Sequence, residues 1–273
     1  MILLDSKELA YRIRKHAINM VHNAHASHIG GVLSCADVIA VLYSNVVAYD
    51  ANNPQNPLRD RIVLSKGHNG VAIYAALAEV GFFPAEELQT YGMNGSKFSC
   101  HVSHKNVPGV EITTGSLGHG IGVACGMALN AKLKKLPYKV YAIVGDGECN
   151  EGSVWEAAML AAQYKLDNFT VIIDANGMQA MGKCADVINM EPMVDKWQAF
   201  NWTVIEVKDG HNHQFLKEAF ERSSCGKPKA IIARTIKGKG VSFMENELLW
   251  HYRDPQGDLY LQALKELEEA HNA

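Results

Sequence analysis

The run VYAIVGDG, Val140 to Gly147, decides the fold. Its unbroken apolar stretch, with no polar alternation, suits a strand buried on both faces, as in a parallel sheet. The strand then breaks into Gly145-Asp146-Gly147, where glycines free the backbone for a tight turn. Four further runs read as strands: Ile62-Val63-Leu64, Thr170 to Ile173, Val204 to Val207 and Ala230 to Thr235. Helical stretches lie between them, notably Ser153 to Tyr164 and His213 to Ser224. Strands alternating with helices predict an α/β fold of three layers, with a mostly parallel central sheet and helices on both faces.

Ligands of such sheets bind beyond the carboxyl ends of the strands, which is where Asp146 is delivered. The next strand ends in Asp174-Ala175-Asn176-Gly177. One βαβ unit would set Asp146 and Asn176 on neighbouring strand tips. A carboxylate, an amide oxygen and a nearby main-chain carbonyl make a hard-oxygen set suited to magnesium, with calcium or manganese as alternatives. Magnesium keeps few protein ligands and completes its octahedron with phosphate and water. The spacing therefore predicts a metal bridging protein and diphosphate, with the Gly147 amide free to meet a phosphate oxygen. The competing reading is turn chemistry alone, since Asp, Asn and Gly are common where strands end.

Upstream, Leu9, Ile13, Ala17, Met20 and Ala24 share one face of a helix, and Asp5 with Glu8 resembles a capping box. Ala51 to Arg59 is a proline-punctuated loop, while Gly115, Gly118, Gly120, Gly122 and Gly126 would permit close backbone approach. No repeat or linker divides the chain. One domain over residues 1–273, with a tail from about Asn246, is the simplest partition; Leu259, Leu261, Leu264 and Leu267 read as an apolar stripe on that tail.

With 48% hydrophobic residues and a net charge of −3, disorder is excluded, as is a nucleic acid or membrane surface held by bulk charge. The six cysteines include no CxxC pair, so free thiols in a reducing compartment are expected. The N-terminus lacks a secretory pattern, and no continuous apolar run approaches the ~18 residues of a membrane span. A cytoplasmic protein is expected. His22, His25 and His28 spread round a helix without a carboxylate, which argues against zinc.

Longer matches surround the GDG…N pair. SHIGG (27–31), VLSKGH (63–68), PGVEITTGSLGHGIG (108–122), GDGECNEGSVWEA (145–157) and KGKGVSFMEN (237–246) occur in one order along the chain. Together they resemble the diphosphate-binding half of transketolase, over about residues 5–254. The resemblance implies a thiamin diphosphate-binding fold, with Asp146, Asn176 and the Met178 carbonyl on the metal. It also implies that Gly147 and His68 contact the diphosphate, and that Gly115 and Leu117 contact the cofactor's rings. His28 and His101 match histidines around the thiazolium and the substrate's reacting end. His251 matches a histidine near diphosphate and substrate, although LLWHYRDP departs from the family's continuation. Glu151 and Glu156 match acidic residues that sit at the subunit interface and link two active sites. Glu156 also reads as the end of a capping box, Ser153 to Glu156. Ala180 stands where the family carries a larger aliphatic residue, which implies extra room beside the thiazolium.

In the family, a glutamate of a second domain activates the cofactor's aminopyrimidine, and no such half is visible before Ala273. The resemblance thus implies the N-terminal subunit of a split enzyme. A separate pyrimidine-binding subunit would complete it as an α2β2 heterotetramer, transferring a two-carbon ketol unit from a ketose phosphate, or a related modified sugar, to an aldose. Three rivals remain. A dihydroxyacetone or deoxyxylulose synthase would use the same half, and a non-enzymic regulatory module would keep the fold. A Rossmann dehydrogenase would need a GxGxxG spacing that neither glycine cluster has.

Overall fold

The computed structural model describes residues 4–272. The five apolar runs form one sheet of β1 (Arg61–Leu64), β2 (Val140–Gly145), β3 (Phe169–Ala175), β4 (Thr203–Val207) and β5 (Lys229–Arg234). Their order is β1-β2-β3-β5-β4, and every pairing is parallel. Helices α1 (Ser6–Ala24), α2 (Ile29–Val41), α3 (Gly70–Glu79), α4 (His119–Leu133), α5 (Gly152–Gln163), α6 (Cys184–Val187), α7 (Met193–Ala199), α8 (His213–Glu221) and α9 (Asp258–Asn272) complete the described chain.

Strand side chains alternate between the faces, and here both faces are covered. Tyr141 and Ile143 join the apolar cluster that includes α1, α2 and α3, whereas Val140, Ala142 and Val144 join the one that includes α4 and α5. Full burial of one Val or Ile side chain contributes about 1.5–3 kcal/mol, so a run apolar at every position gains on both faces. That is the physical origin of the unbroken pattern. Outermost β4 differs: Glu206 is exposed, as befits an edge strand protected from further pairing by charge.

Several local expectations are corrected. Asp5 caps α1, its carboxylate accepting from the Lys7 amide at 2.8 Å, but Glu8 pairs with Arg12 rather than closing a box. Helix α5 starts at Gly152, with Glu151 as its cap residue, so Ser153 to Glu156 lies inside the first turns and forms no capping box. The continuation of α2 through a π-helical turn at Leu42–Val46 makes an 18-residue stretch, 29–46, apolar enough by length and hydropathy to cross a membrane. It is mostly buried among other helices, which accounts for its composition. The tail folds back as α9 on α1, through Tyr260, Ala263, Leu264 and Leu267. Leu259 and Leu261 are exposed, because a helix places them off the 3–4-residue stripe.

Gly118 adopts φ +79°, and a Cβ there would come within 2.7 Å of the Glu151 Cβ; at Gly120 it would come within 2.6 Å of the Ser65 Cα. These two positions need glycine. Gly122 and Gly126 instead face open space.

Candidate active site

Parallel pairing aligns Gly145 of β2 with Asp174 of β3, so the next residues emerge at one edge. There the Asp146 carboxylate accepts hydrogen bonds from the Gly147 amide at 2.7 Å and the Gly177 amide at 2.6 Å. Asn176 donates its side-chain nitrogen to Asp174 Oδ2 and Ser34 Oγ, both at 3.2 Å, which fixes the amide. Its oxygen accepts from the Met178 amide at 3.1 Å and keeps a second lone pair.

Met178 opposes Lys183 in an antiparallel bridge. The bridging bonds run between flanking residues, Gln179 N to Gly182 O and Cys184 N to Gly177 O, so the Met178 carbonyl points away from the partner strand. Asp146, Asn176 and Met178 all line one cavity.

Asp146 is buried, and burial first, then the nearby Asp174 charge, pushes its carboxyl up to about 6. Lys66 Nζ is bound to Asp174, which is wholly buried. Burial opposes ionisation of both partners, yet their mutual attraction prevails, holding the Lys66 ammonium above and the Asp174 carboxyl below their ordinary ranges. A buried carboxylate beside a free carbonyl and an amide oxygen fits a hard divalent cation. Among the described residues no three His, Cys, Asp or Glu side chains converge as a metal-binding group, so phosphate and water would have to complete such a shell.

These oxygens open into a cavity of about 530 Å³. His28, entering α2 with φ +75°, lies 5.1 Å from His68, 5.6 Å from His101 and 4.8 Å from His251, ring centre to ring centre. Burial, reinforced by neighbouring positive groups, pulls His28 down to about 4, His251 to about 3 and His68 well below its ordinary value. Three of the four are therefore neutral at pH 7. Gly115 lies against His101, where a Cβ would be 3.4 Å from its ring. Leu117, Gly147, Glu151 and Ala180 also line the cavity. Glu156 does not; it is exposed on α5.

The sequence reading missed Lys66, Lys237, Glu148 and Gln179, all on the lining. Lys237 lies within 3.0 Å of His251 Nδ1, and burial draws its ammonium down to about 8. Glu148 accepts from the Gly118 amide at 2.9 Å, the Gly145 amide at 3.1 Å and Ser65 Oγ, tying the Gly145-Asp146-Gly147 turn to the start of α4. The signals were present as a lysine inside VLSKGH and another opening KGKG, just after an apolar run where solvated lysines are not expected. His22 stacks on Tyr260 at 3.8 Å and His25 pairs with Asp254 at 3.0 Å, so neither joins His28.

Residues 5–262 match the family model described as "Transketolase, thiamine diphosphate binding domain". The chain is 42% identical over 268 residues to the 6-deoxy-6-sulfo-D-fructose transketolase subunit SqwG of Clostridium sp. (strain MSTE9), covering 97% of each. It is 42% identical over 257 residues to an apulose-4-phosphate transketolase subunit of Phocaeicola vulgatus, covering 94% of this chain and 91% of that one. The transketolase structure from Campylobacter jejuni superposes with a TM-score of 0.90 at 31% identity, over 98% of this chain and 42% of that one. The chain belongs to the transketolase family, as its thiamine diphosphate-binding part. It matches the two subunit proteins over nearly their whole length but spans only about two fifths of that solved transketolase.

Proposed function

We propose that this chain is the diphosphate-binding subunit of a split transketolase, completed by a separate pyrimidine-binding subunit in an α2β2 assembly. The observation that carries the reading is that Asp146, Asn176 and Met178 line one cavity with His28, His68, His101 and His251. The two subunit relatives, named for sulfo-fructose and apulose phosphate, support a modified ketose phosphate as donor. Six free thiols suit a reducing cytoplasm.

Thiamin diphosphate, when bound, supplies the carbon nucleophile that accepts a two-carbon ketol unit. The chain's own residues hold and orient it. Asp146, Asn176 and Met178 would ligate magnesium or a similar cation against the diphosphate, and His68 would meet its oxygens; the Gly147 amide, expected to do so too, donates to Asp146 Oδ1 instead. Lys237, on the cavity lining, keeps its positive charge at neutral pH and would offset phosphate charge. His28 and His251 stay neutral, so each can donate or accept a hydrogen bond or shuttle a proton without bringing in a cation. His101, exposed on its loop, is available to the sugar's reacting end. Glu151 and Glu156, both exposed, would meet a neighbouring subunit.

Mixing the purified chain with its candidate partner, thiamin diphosphate, magnesium, a ketose phosphate and an aldose should give ketol transfer, whereas the chain alone should give none. Full activity of the isolated chain would contradict the split-enzyme reading. No activity of the mixture towards any ketose would contradict the enzymic one.

A further inference from the structure

We propose that Asn69 is a substrate-binding residue whose amide oxygen accepts a hydrogen bond from a hydroxyl of the bound sugar. This deepens the function proposed above and rests on it. Asn69 ends the short turn that carries His68, caps α3, is fully buried and lines the cavity. Its amide occupies the space left by a missing side chain at Gly31. A Cβ there would lie 2.8 Å from Oδ1 and 2.9 Å from Nδ2, so the two positions are coupled.

Hydrogen bonding orients the amide. The Cys35 thiol donates to the Gly31 carbonyl at 3.3 Å and turns its lone pairs to Asn69, whose Nδ2 approaches the sulfur at 3.8 Å. The atom left over is Oδ1, which is buried and has no partner among the described residues. An unpaired buried acceptor is destabilising, so such an atom calls for a donor from outside the protein, a bound water or a ligand.

The missing partner must be a donor. Diphosphate oxygens are acceptors and a thiazolium ring carries no N–H or O–H, so the half of the cofactor expected in this cavity cannot serve. A sugar hydroxyl can. His28 Nδ1, from the residue that starts the same helix as Gly31, is a second buried nitrogen without a partner. A hydroxyl, which donates and accepts at once, suits an amide oxygen and an imidazole nitrogen alike.

The coupling of the two positions supplies the test. The double variant Gly31→Ala/Asn69→Ala refills the space with a methyl group but removes the acceptor. In the complex with its partner, calorimetry with fructose 6-phosphate and 6-deoxy-6-sulfo-D-fructose as probes should show sugar affinity about tenfold weaker in the double variant. Thiamin diphosphate affinity should be unchanged. Wild-type sugar affinity in the double variant would overturn the proposal, showing that the amide only packs. A parallel loss of cofactor affinity would overturn it too, and so would failure of the wild type to bind either sugar. Sugar binding that depends on Asn69 without ketol transfer would instead contradict the transketolase reading and leave the Asn69 contact standing.

Discussion

Asp146 on the tip of β2 and Gly177 beyond the tip of β3 are joined by a 2.6 Å hydrogen bond from the glycine amide to the aspartate carboxylate. This bond sets the spacing of the two halves of the oxygen cluster. Asp146→Asn keeps the size of the side chain but removes its charge. We expect at least a hundredfold weaker binding of thiamin diphosphate with magnesium, read by calorimetry, because the anionic ligand is lost. Unchanged affinity would refute the ligand assignment.

His101 sits at the mouth and holds none of the three oxygens. His101→Ala should lower kcat by about a hundredfold or more, as befits loss of one acid–base or polarising group. The cofactor's dissociation constant should move less than about threefold, the scale of a minor contact. An equal fall in both would place His101 on the cofactor instead.

The neutral histidines make an acid-side prediction. His28 and His251 titrate near 4 and 3 in the folded chain, against about 6.5 when unfolded, so the unfolded chain binds more protons as pH falls. The stability they contribute is present above about pH 6.5 and is lost progressively as pH drops towards 4. The Tm of the cofactor-free chain should fall between pH 7 and 5, and fall less steeply in His28→Gln/His251→Gln. Parallel curves would contradict the assignment.

Lys66→Met strands the buried Asp174 carboxylate and should cost about 3–5 kcal/mol in urea unfolding. Adding Asp174→Asn should recover part of that loss. If the two costs simply add, the pair is not coupled.

Leu267→Ala, on the face of α9 that meets α1, should cost about 2–4 kcal/mol, whereas exposed Leu261→Ala should stay within about 0.5 kcal/mol. Comparable losses would mean that the helix docks by another face.

The sheet was legible because its strands are buried on both sides and show it residue by residue, as Val140 to Val144 do. The strand-tip pair was legible because a βαβ unit makes the positions of Asp146 and Asn176 nearly inevitable. What stayed hidden depends on contacts made far along the chain. Nothing local to Lys66 announces Asp174, a partner 108 residues away, and the Ser153 to Glu156 pattern was overridden when Glu151 took the capping place. The tail's stripe failed at Leu259 and Leu261 for a simpler reason: counting leucines ignored Tyr260 and Ala263, which complete the true 3–4 spacing with Leu264 and Leu267.

The position of the bound divalent metal is the most direct test of all. Crystals of the chain with its partner, grown with thiamin diphosphate and manganese, would locate that ion by anomalous scattering. The prediction is one peak about 2.1–2.2 Å from an Asp146 carboxylate oxygen, Asn176 Oδ1 and the Met178 carbonyl, with diphosphate oxygens completing its shell. A peak elsewhere, or a diphosphate held with no metal at these three oxygens, would contradict it.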